Sequence, residues 1–272
     1  MIDSEKSLLP QTIKTLAKSI TVKVLLGDNW GSGIIIHRQG RTYTVLTNQH
    51  VLTAGNHYHI ETADGKIYQA NQLQDVSISK FDLGLLQFTS PVKYKIAPLS
   101  PKMPKVGNLI FASGYPIQDD PSQPEKFVFI SGKVALIPTQ AIQGGYQIGC
   151  TTAIAKGMSG GPLFNTQGEV VGINGMHQYP LWGNPYVFLD GTFASIREQK
   201  QMSKYSWSVP MGIFANIAPR FLPGTNTSRE TAPPSSESLP SSTPNTPLPF
   251  PSSTEIPSVE IQIQPSSSEL VL

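Results

Sequence analysis

The stretch that carries the most information is Gly-Met-Ser-Gly-Gly-Pro at residues 157–162. Glycine permits a sharp backbone turn, so Gly157 lets successive N–H groups point into one concavity. Such groups can hold the oxyanion that forms when a serine hydroxyl attacks a carbonyl, and the loss of one donor typically costs about 10²–10³ in rate. The pattern therefore predicts that Ser159 is a nucleophile. A glycine-rich turn that carries a serine by chance is the simpler alternative.

Two further segments supply the partners that a nucleophilic serine needs. Residues 47–51 (Thr-Asn-Gln-His-Val) contain His50, and histidine is the usual base near neutral pH. Residues 81–86 (Phe-Asp-Leu-Gly-Leu-Leu) place Asp82 in an apolar stretch, where a carboxylate is unexpected unless it is hydrogen-bonded. Its fitting role is to accept a hydrogen bond from the imidazole and fix the tautomer. Taken singly, His50 can be an ordinary surface residue and Asp82 an ordinary turn residue. The order His, Asp, Ser along the chain favours a joint function instead.

Short apolar and β-branched runs with a period of two predict an all-β sandwich or barrel. They recur between clusters of Gly, Pro and Asn. The runs lie at 22–26, 33–36, 42–46, 58–60, 76–78, 83–88, 109–112, 127–130, 134–137, 146–149 and 170–173. A proline-rich interval at 91–104 indicates a crossover between two halves of the fold.

The two ends of the folded part show helical spacing instead. Apolar residues three or four apart predict a short N-terminal helix and a short C-terminal helix. They are Leu9, Ile13, Leu16 and Ile20 at the first end, and Ile213, Phe214, Ile217 and Phe221 at the second.

The last fifty residues differ in composition from the rest. Residues 223–272 contain 10 Pro, 12 Ser and 6 Thr, and we predict that they are disordered because they cannot bury enough apolar surface to offset their chain entropy. One Arg and five Glu give this tail a charge of −4, which leaves +6 on the preceding 222 residues. No stripe of Lys and Arg accompanies that charge, so a nucleic-acid partner is not expected.

Composition excludes several other classes of protein. The 272 residues carry a net charge of +2 and a single cysteine, so neither an internal disulfide nor a cysteine-rich zinc site is expected. No run of eighteen apolar residues occurs, and hence no membrane-spanning helix is expected. Residues 1–10 have no basic start followed by an apolar core, so no secretory signal is predicted in this sequence.

Two minor candidates for chemistry are weaker than the serine motif. His57, His59 and Glu61 alternate along a predicted strand and could bind zinc, although a strand face exposed to water explains them better. Cys150 lies nine residues before Ser159, and a buried structural cysteine is the better interpretation than a catalytic thiol.

Together the segments at 47–51, 81–86 and 157–163 resemble the trypsin-like (chymotrypsin-fold) serine endopeptidases, in particular the bacterial, disulfide-free kind. The strand-like stretch at 30–36 (Trp-Gly-Ser-Gly-Ile-Ile-Ile) is similar to the strand of the first barrel that leads to the histidine. Residues 205–210 (Tyr-Ser-Trp-Ser-Val-Pro) are similar to the last strand before the C-terminal helix. The resemblance covers about residues 15–222.

This resemblance implies two antiparallel six-stranded β-barrels with the active site in the cleft between them. The expected organisation is a helical segment at 1–19 and a peptidase domain at 20–222. The first barrel occupies about 20–90, the second about 105–210, and a disordered tail follows at 223–272.

The same resemblance implies a mechanism for hydrolysing polypeptide substrates. Ser159 attacks the peptide carbonyl, His50 transfers the proton, Asp82 orients His50, and the N–H groups of Gly157 and Ser159 form the oxyanion hole. An acyl-enzyme forms and water hydrolyses it, without metal or organic cofactor. Met158 stands where digestive relatives have an aspartate that pairs with a cleaved N-terminus, so no activation of that kind is expected.

The resemblance also places the pocket for the side chain before the scissile bond. Its wall is expected from Ala153, Ile154, Asn174, Gly175 and Met176. Ala153 at the base argues against Arg or Lys specificity, and Asn174 stands where glutamyl-specific relatives have a histidine. The expectation is therefore a small or medium apolar side chain.

Two alternatives to an active endopeptidase stay open. Met158 keeps open a catalytically silent homologue that binds peptides or a protein in the same cleft. A chaperone-like protease with a C-terminal peptide-binding domain is ranked lowest because of the low-complexity tail. Export is suggested by the resemblance but not by residues 1–10, so the localisation and the oligomeric state are not predicted.

Overall fold

A computed structural model of the chain describes residues 7–222, except 28, 54, 75–77, 79, 118–125 and 179–184. The predicted disorder at 223–272, the predicted strand at 76–77 and the N-terminal residues 1–6 lie outside the described residues. Ile78 is described and belongs to no strand of the sheets. Among the described residues, no helix combines the length and apolarity needed to cross a membrane.

Twelve strands in the described residues form two closed antiparallel barrels of six strands each, which confirms the predicted fold class. The first barrel consists of β1 (Thr21–Leu26), β2 (Asn29–Gln39), β3 (Thr42–Thr47), β4 (Tyr58–Glu61), β5 (Ile67–Leu73) and β6 (Gly84–Thr89). The second consists of β7 (Leu109–Gly114), β8 (Val128–Leu136), β9 (Ile148–Cys150), β10 (Pro162–Phe164), β11 (Val170–Met176) and β12 (Ser206–Pro210). Pairing of β1 with β4, and of β10 with β7, closes them.

Side-chain alternation along the strands separates three apolar cores. In β2, Ile35 points into the first barrel, whereas Ile34 and Ile36 point into a core shared with the second barrel. Trp207 of β12 belongs to the same shared core, and its indole N–H donates to the carbonyl oxygen of Met202 at 3.1 Å. The remaining core fills the second barrel and includes Cys150. Because the shared core joins the barrels, the cleft above it is held by burial of apolar surface.

Four α-helices flank the barrels in the described residues: α1 (Pro10–Ile20), α2 (Gln49–Leu52), α3 (Ile196–Met202) and α4 (Met211–Ile217). α1 buries Ile13, Ala17 and Ile20, residues on one face, against the shared core. α3 begins with a capping box in which Ser195 and Glu198 satisfy each other's backbone N–H groups.

The C-terminal helix is shorter than the spacing of its apolar residues predicts. α4 ends at Ile217, and a 3₁₀ turn at Pro219–Phe221 follows, because proline at 219 cannot continue the helical hydrogen bonds. Phe221 still reaches the shared core, so the apolar contact that the pattern predicted is made by the turn.

One pair of predicted strands is a single strand. The runs at 127–130 and 134–137 fall almost entirely on β8, which continues through Gly132, pairs with β7 up to Lys133 and pairs with β9 from Val134. A side chain at Gly132 would meet the backbone nitrogen of Thr152 at 2.8 Å, so the glycine marks a close approach rather than a turn.

Candidate active site

His50 is placed by the short helix α2, which follows β3 directly. The backbone N–H of His50 donates to Oδ1 of Asp82 at 2.8 Å, and Nδ1 of the imidazole lies 2.8 Å from Oδ2. Two contacts on one carboxylate fix both the position and the rotation of the imidazole. When Nδ1 carries the proton, Nε2 is the nitrogen that can accept another.

Asp82 lies at the turn before β6, with its backbone in the left-handed region at a φ of 46°. Aspartate tolerates this conformation better than most residues, at a cost of about 1–2 kcal/mol. The side-chain amide of Asn48 donates to the carbonyl oxygen of Asp82 at 2.9 Å and so supports the turn. The carboxylate is 15% exposed, compared with 47% for the imidazole, so it stands behind His50 as seen from solvent.

A third donor reaches the same carboxylate from the second barrel. The hydroxyl of Tyr146 donates a hydrogen bond to Oδ2 of Asp82. Burial raises the pKa of Tyr146 well above its ordinary value, and the nearby charge of Asp82 raises it further. The phenol therefore keeps its proton and stays a donor.

Ser159 lies in the loop between β9 and β10, held against the first barrel. Its carbonyl oxygen accepts the backbone N–H of Ser32 at 2.8 Å, and its hydroxyl donates to the carbonyl oxygen of Gly175 at 3.2 Å. No hydrogen bond joins Ser159 to His50 in the described part of the chain. The Ser159 hydroxyl is therefore bound to Gly175 and not to the imidazole.

The backbone around Ser159 leaves two N–H groups available. Gly157 has a φ of 89°, and within the described residues neither its N–H nor that of Ser159 has a hydrogen-bond acceptor. The intervening N–H of Met158 donates to the carbonyl of Ala155 at 3.0 Å. An oxyanion hole requires N–H donors that no acceptor within the protein occupies, so these two groups stay the predicted pair.

Met158 is an apolar anchor for this loop. Its side chain is 1% exposed in the core of the second barrel, and its sulfur accepts the N–H of Ala155 at 3.5 Å. Apolar packing therefore holds the Met158 side chain in place. A charged residue at the same position would need a buried partner of opposite charge.

Ser32 connects the first barrel to the loop of Ser159. Its buried hydroxyl donates to the carbonyl oxygen of Gly157 at 2.8 Å and accepts the N–H of Tyr115 at 2.9 Å. Its own carbonyl accepts the hydroxyl of Thr47 at 2.7 Å, three residues before His50. The strand that carries Ser32 therefore touches the segments of both His50 and Ser159.

The predicted pocket residues are distributed unevenly. Ala153 is exposed and Met176 half-buried, whereas Ile154 packs in the core of the second barrel. Asn174 is fully buried. Its amide donates to the carbonyl of Pro162 at 3.0 Å, and its Oδ1 accepts the hydroxyl of Ser208 at 3.1 Å. These hydrogen bonds give Asn174 a structural task under the loop, and the five pocket assignments stay predictions.

The minor candidates have ordinary environments. Glu61 forms an ion pair with Lys23 at 3.3 Å, and His57 and His59 are exposed. No three potential metal ligands converge among the residues that the structure describes. Cys150 is buried, and burial raises its pKa to about 12.

Three contacts at the site involve residues to which the sequence motifs assign no role: Asn48, Ser32 and Tyr146. Asn48 and Ser32 lie inside the quoted segments, so their positions beside His50 and on the strand leading to it were a usable signal. Tyr146 is 64 residues from Asp82 and is joined to it only by the fold.

Comparison with known proteins agrees with this geometry. Residues 31–173, just over half of the chain, match the family model described as trypsin-like peptidase domain. The chain is 29% identical over 150 residues to the serine protease Do-like HtrA of Bacillus subtilis (strain 168), covering 54% of this chain and 33% of that protein. It is 28% identical over 147 residues to the serine endoprotease DegS of Salmonella typhimurium, covering 53% and 38%.

A solved structure has the same fold. The serine endoprotease from Yersinia pestis superposes with a TM-score of 0.58 at 18% identity, covering 80% of this chain and 68% of that one. The chain spans about a third of the length of the two curated relatives named above. With a matching family model and two closed six-stranded barrels, the chain belongs to the trypsin-like peptidase domain family.

Proposed function

We propose that this chain is a serine endopeptidase in which Ser159 is the nucleophile, His50 the general base and acid, and Asp82 the group that orients His50. Family membership supports hydrolysis of peptide bonds in polypeptides. The observation that carries the finer assignment is the double hydrogen bond of His50 on Asp82, 2.8 Å at each contact. It leaves Nε2 as the nitrogen for proton transfer.

The reaction proceeds in two steps. The oxygen of Ser159 bonds to the peptide carbonyl carbon while His50 takes the hydroxyl proton, and the N–H groups of Gly157 and Ser159 hold the oxyanion. His50 then gives the proton to the amine nitrogen as the C–N bond breaks, which leaves an ester on Ser159. Water attacks the ester, His50 takes a proton from the water, and that proton returns to Ser159 as the acid product leaves.

The preferred side chain before the scissile bond is small or medium and apolar. Ala153 supplies no charge for a basic side chain, and Gly175 and Met176 supply no positive charge for an acidic one. A peptide library varied at this one position tests the assignment. Cleavage concentrated after Arg, Lys or Glu would contradict it.

A catalytically silent homologue that binds peptides in the same cleft is the second candidate. One observation favours it: the hydroxyl of Ser159 donates to Gly175 and not to His50. An active enzyme requires the Ser159 hydroxyl to leave Gly175 and donate to Nε2 of His50, and a neutral hydrogen bond such as the one to Gly175 contributes only about 0.5–1.5 kcal/mol.

A fluorophosphonate probe separates the two candidates, because it needs an activated serine. The Ser159 oxygen bonds to phosphorus and fluoride leaves. We expect one probe per chain in folded protein and none in Ser159→Ala. Folded protein that binds peptides but takes up no probe would support the silent homologue and contradict the proposal.

A further inference from the structure

Tyr146 is a residue of the site that lies outside the sequence segments of the family motifs. Its hydroxyl donates to Oδ2 of Asp82, the oxygen that also lies 2.8 Å from Nδ1 of His50. The other carboxylate oxygen accepts the backbone N–H of His50. Among the described residues, His50 and Tyr146 are the titratable groups in contact with this carboxylate, and they come from different barrels.

The space for Tyr146 is made by missing side chains. A Cβ at Gly175 would overlap the Tyr146 hydroxyl and would lie 2.6 and 2.8 Å from ring carbons Cε1 and Cζ. A Cβ at Gly144 would lie 3.0 Å from ring carbon Cε2 of Tyr146 and 3.2 Å from Cβ of Asp82. The phenol and the carboxylate can meet because both positions are glycine, so the contact is built into the packing.

The buried hydroxyl of Tyr146 depends on Asp82 for its hydrogen bond. Tyr146 is 8% exposed, so its hydroxyl must find a partner inside the protein. Asp82 is the one acceptor that the structure gives it among the described residues. Hydrogen bonds to a charged group are stronger than neutral ones, so this contact holds the carboxylate as much as it satisfies the phenol.

We propose that Tyr146 is a positioning residue that holds the Asp82 carboxylate against His50 during proton transfer. The inference rests on the proposed function, since it assigns Tyr146 a part in that reaction. Without the hydroxyl the carboxylate gains freedom to turn away from the imidazole. The hydrogen bond at Nδ1 then no longer holds the imidazole in one orientation, and proton transfer at Nε2 loses part of its alignment.

The test compares Tyr146→Phe with the unchanged protein by two measurements, the second-order rate of fluorophosphonate labelling at neutral pH and the proton NMR signal of the Nδ1–H of His50. The substitution keeps the ring and removes one donor. We expect the rate to fall about tenfold, the size typical of one hydrogen bond to a charged group. We also expect the Nδ1–H signal to shift or broaden, because its acceptor carboxylate is held by one donor fewer. An unchanged rate and an unchanged signal would overturn the inference.

A matched control is Tyr43→Phe, which removes a buried hydroxyl that donates to the carbonyl of Val92 at 2.9 Å in the first barrel. It should lower stability and leave both the labelling rate and the Nδ1–H signal of His50 unchanged. If both variants lose labelling equally and change the signal in the same way, the effect of Tyr146 is structural and the inference fails.

The Nδ1–H signal separates failure of this inference from failure of the proposed function. Tyr146→Phe should change the signal even in protein that the probe does not label. An unchanged signal in protein that does label overturns the role of Tyr146 alone. Absence of Ser159-dependent labelling in the unchanged protein overturns the proposed function and, with it, the role in proton transfer.

Discussion

Replacing Ser32 with alanine removes one hydroxyl that serves two backbone groups in separate segments. The hydroxyl donates to the carbonyl oxygen of Gly157 at 2.8 Å and accepts the N–H of Tyr115 at 2.9 Å. Alanine fits the space, so the substitution leaves the strand intact and isolates the loss of these two hydrogen bonds. The first of them holds the residue that carries one donor of the proposed oxyanion hole.

The magnitude follows from what is left without a partner. A buried backbone group without a partner costs about 1–3 kcal/mol, and Gly157 is buried whereas Tyr115 is partly exposed. We therefore expect Ser32→Ala to lower the free energy of unfolding by about 3 kcal/mol. With a slope of about 1–3 kcal/mol per molar urea, the unfolding midpoint falls by about 1 M or more. The loop of Ser159 is loosened but keeps the N–H of Gly157. We therefore expect fluorophosphonate labelling to slow about tenfold, which is less than the complete loss of an oxyanion donor would cause.

Urea unfolding and probe labelling are measured on the same preparations. Ser131→Ala is the matched control, because Ser131 is an exposed residue of β8, and its substitution should change stability by no more than about 0.5 kcal/mol. If Ser32→Ala and Ser131→Ala unfold at the same urea concentration and label at the same rate, the two hydrogen bonds do not hold the loop and the reasoning is refuted.

Four further substitutions or treatments test the site and its support. Asp82→Asn should slow probe labelling by roughly 10³–10⁴, because the amide favours the wrong tautomer of the imidazole, and a loss below about tenfold would contradict the proposed role. Gly157→Ala should slow labelling by about 10² or more, since a Cβ there would lie 2.6 Å from the carbonyl oxygen of Tyr115 at a φ of 89°, and unchanged labelling would show that this backbone conformation is not required. Met158→Asp should lower the free energy of unfolding by about 3 kcal/mol or more, measured by thermal melting, because it buries a carboxylate in an apolar core. With its pKa raised to about 12 by burial, Cys150 stays protonated at pH 8, so iodoacetamide should modify it about 10³-fold more slowly than in urea-unfolded protein, and equal rates would contradict its burial.

The predicted strands agree with the structure where a strand alternates and has a buried face. The predicted runs in β2, β3 and β11 lie within observed strands, and the run at 83–88 begins one residue before β6, because the inward residues of these strands fill an apolar core. β5 (Ile67–Leu73) was not predicted, since it is largely polar and half exposed, and β10 (Pro162–Phe164) is only three residues long. Both are strands because neighbouring strands satisfy their backbone groups, and that requires the closed barrel.

The candidate site likewise contains residues that have a local sequence signal and contacts that only the fold creates. His50, Asp82 and Ser159 could be selected from the sequence because each has a local signal: a histidine at a strand end, a carboxylate in an apolar run and a serine among glycines. The hydrogen bond from Tyr146 to Asp82 has no such signal, since it joins residues 64 positions apart in different barrels. The side chain of Asn174 was expected in a pocket but is taken up by Pro162 and Ser208, which lie on other strands or at their ends.

The sequence by itself determined which residues alternate, where the chain turns and which side chains have suitable chemistry, because these depend on spacings of a few residues. Only the tertiary structure decided which donor meets which acceptor across the two barrels. A hydrogen bond needs its atoms within about 3 Å, and that proximity arises only after each barrel has closed and the shared core has set the distance between them.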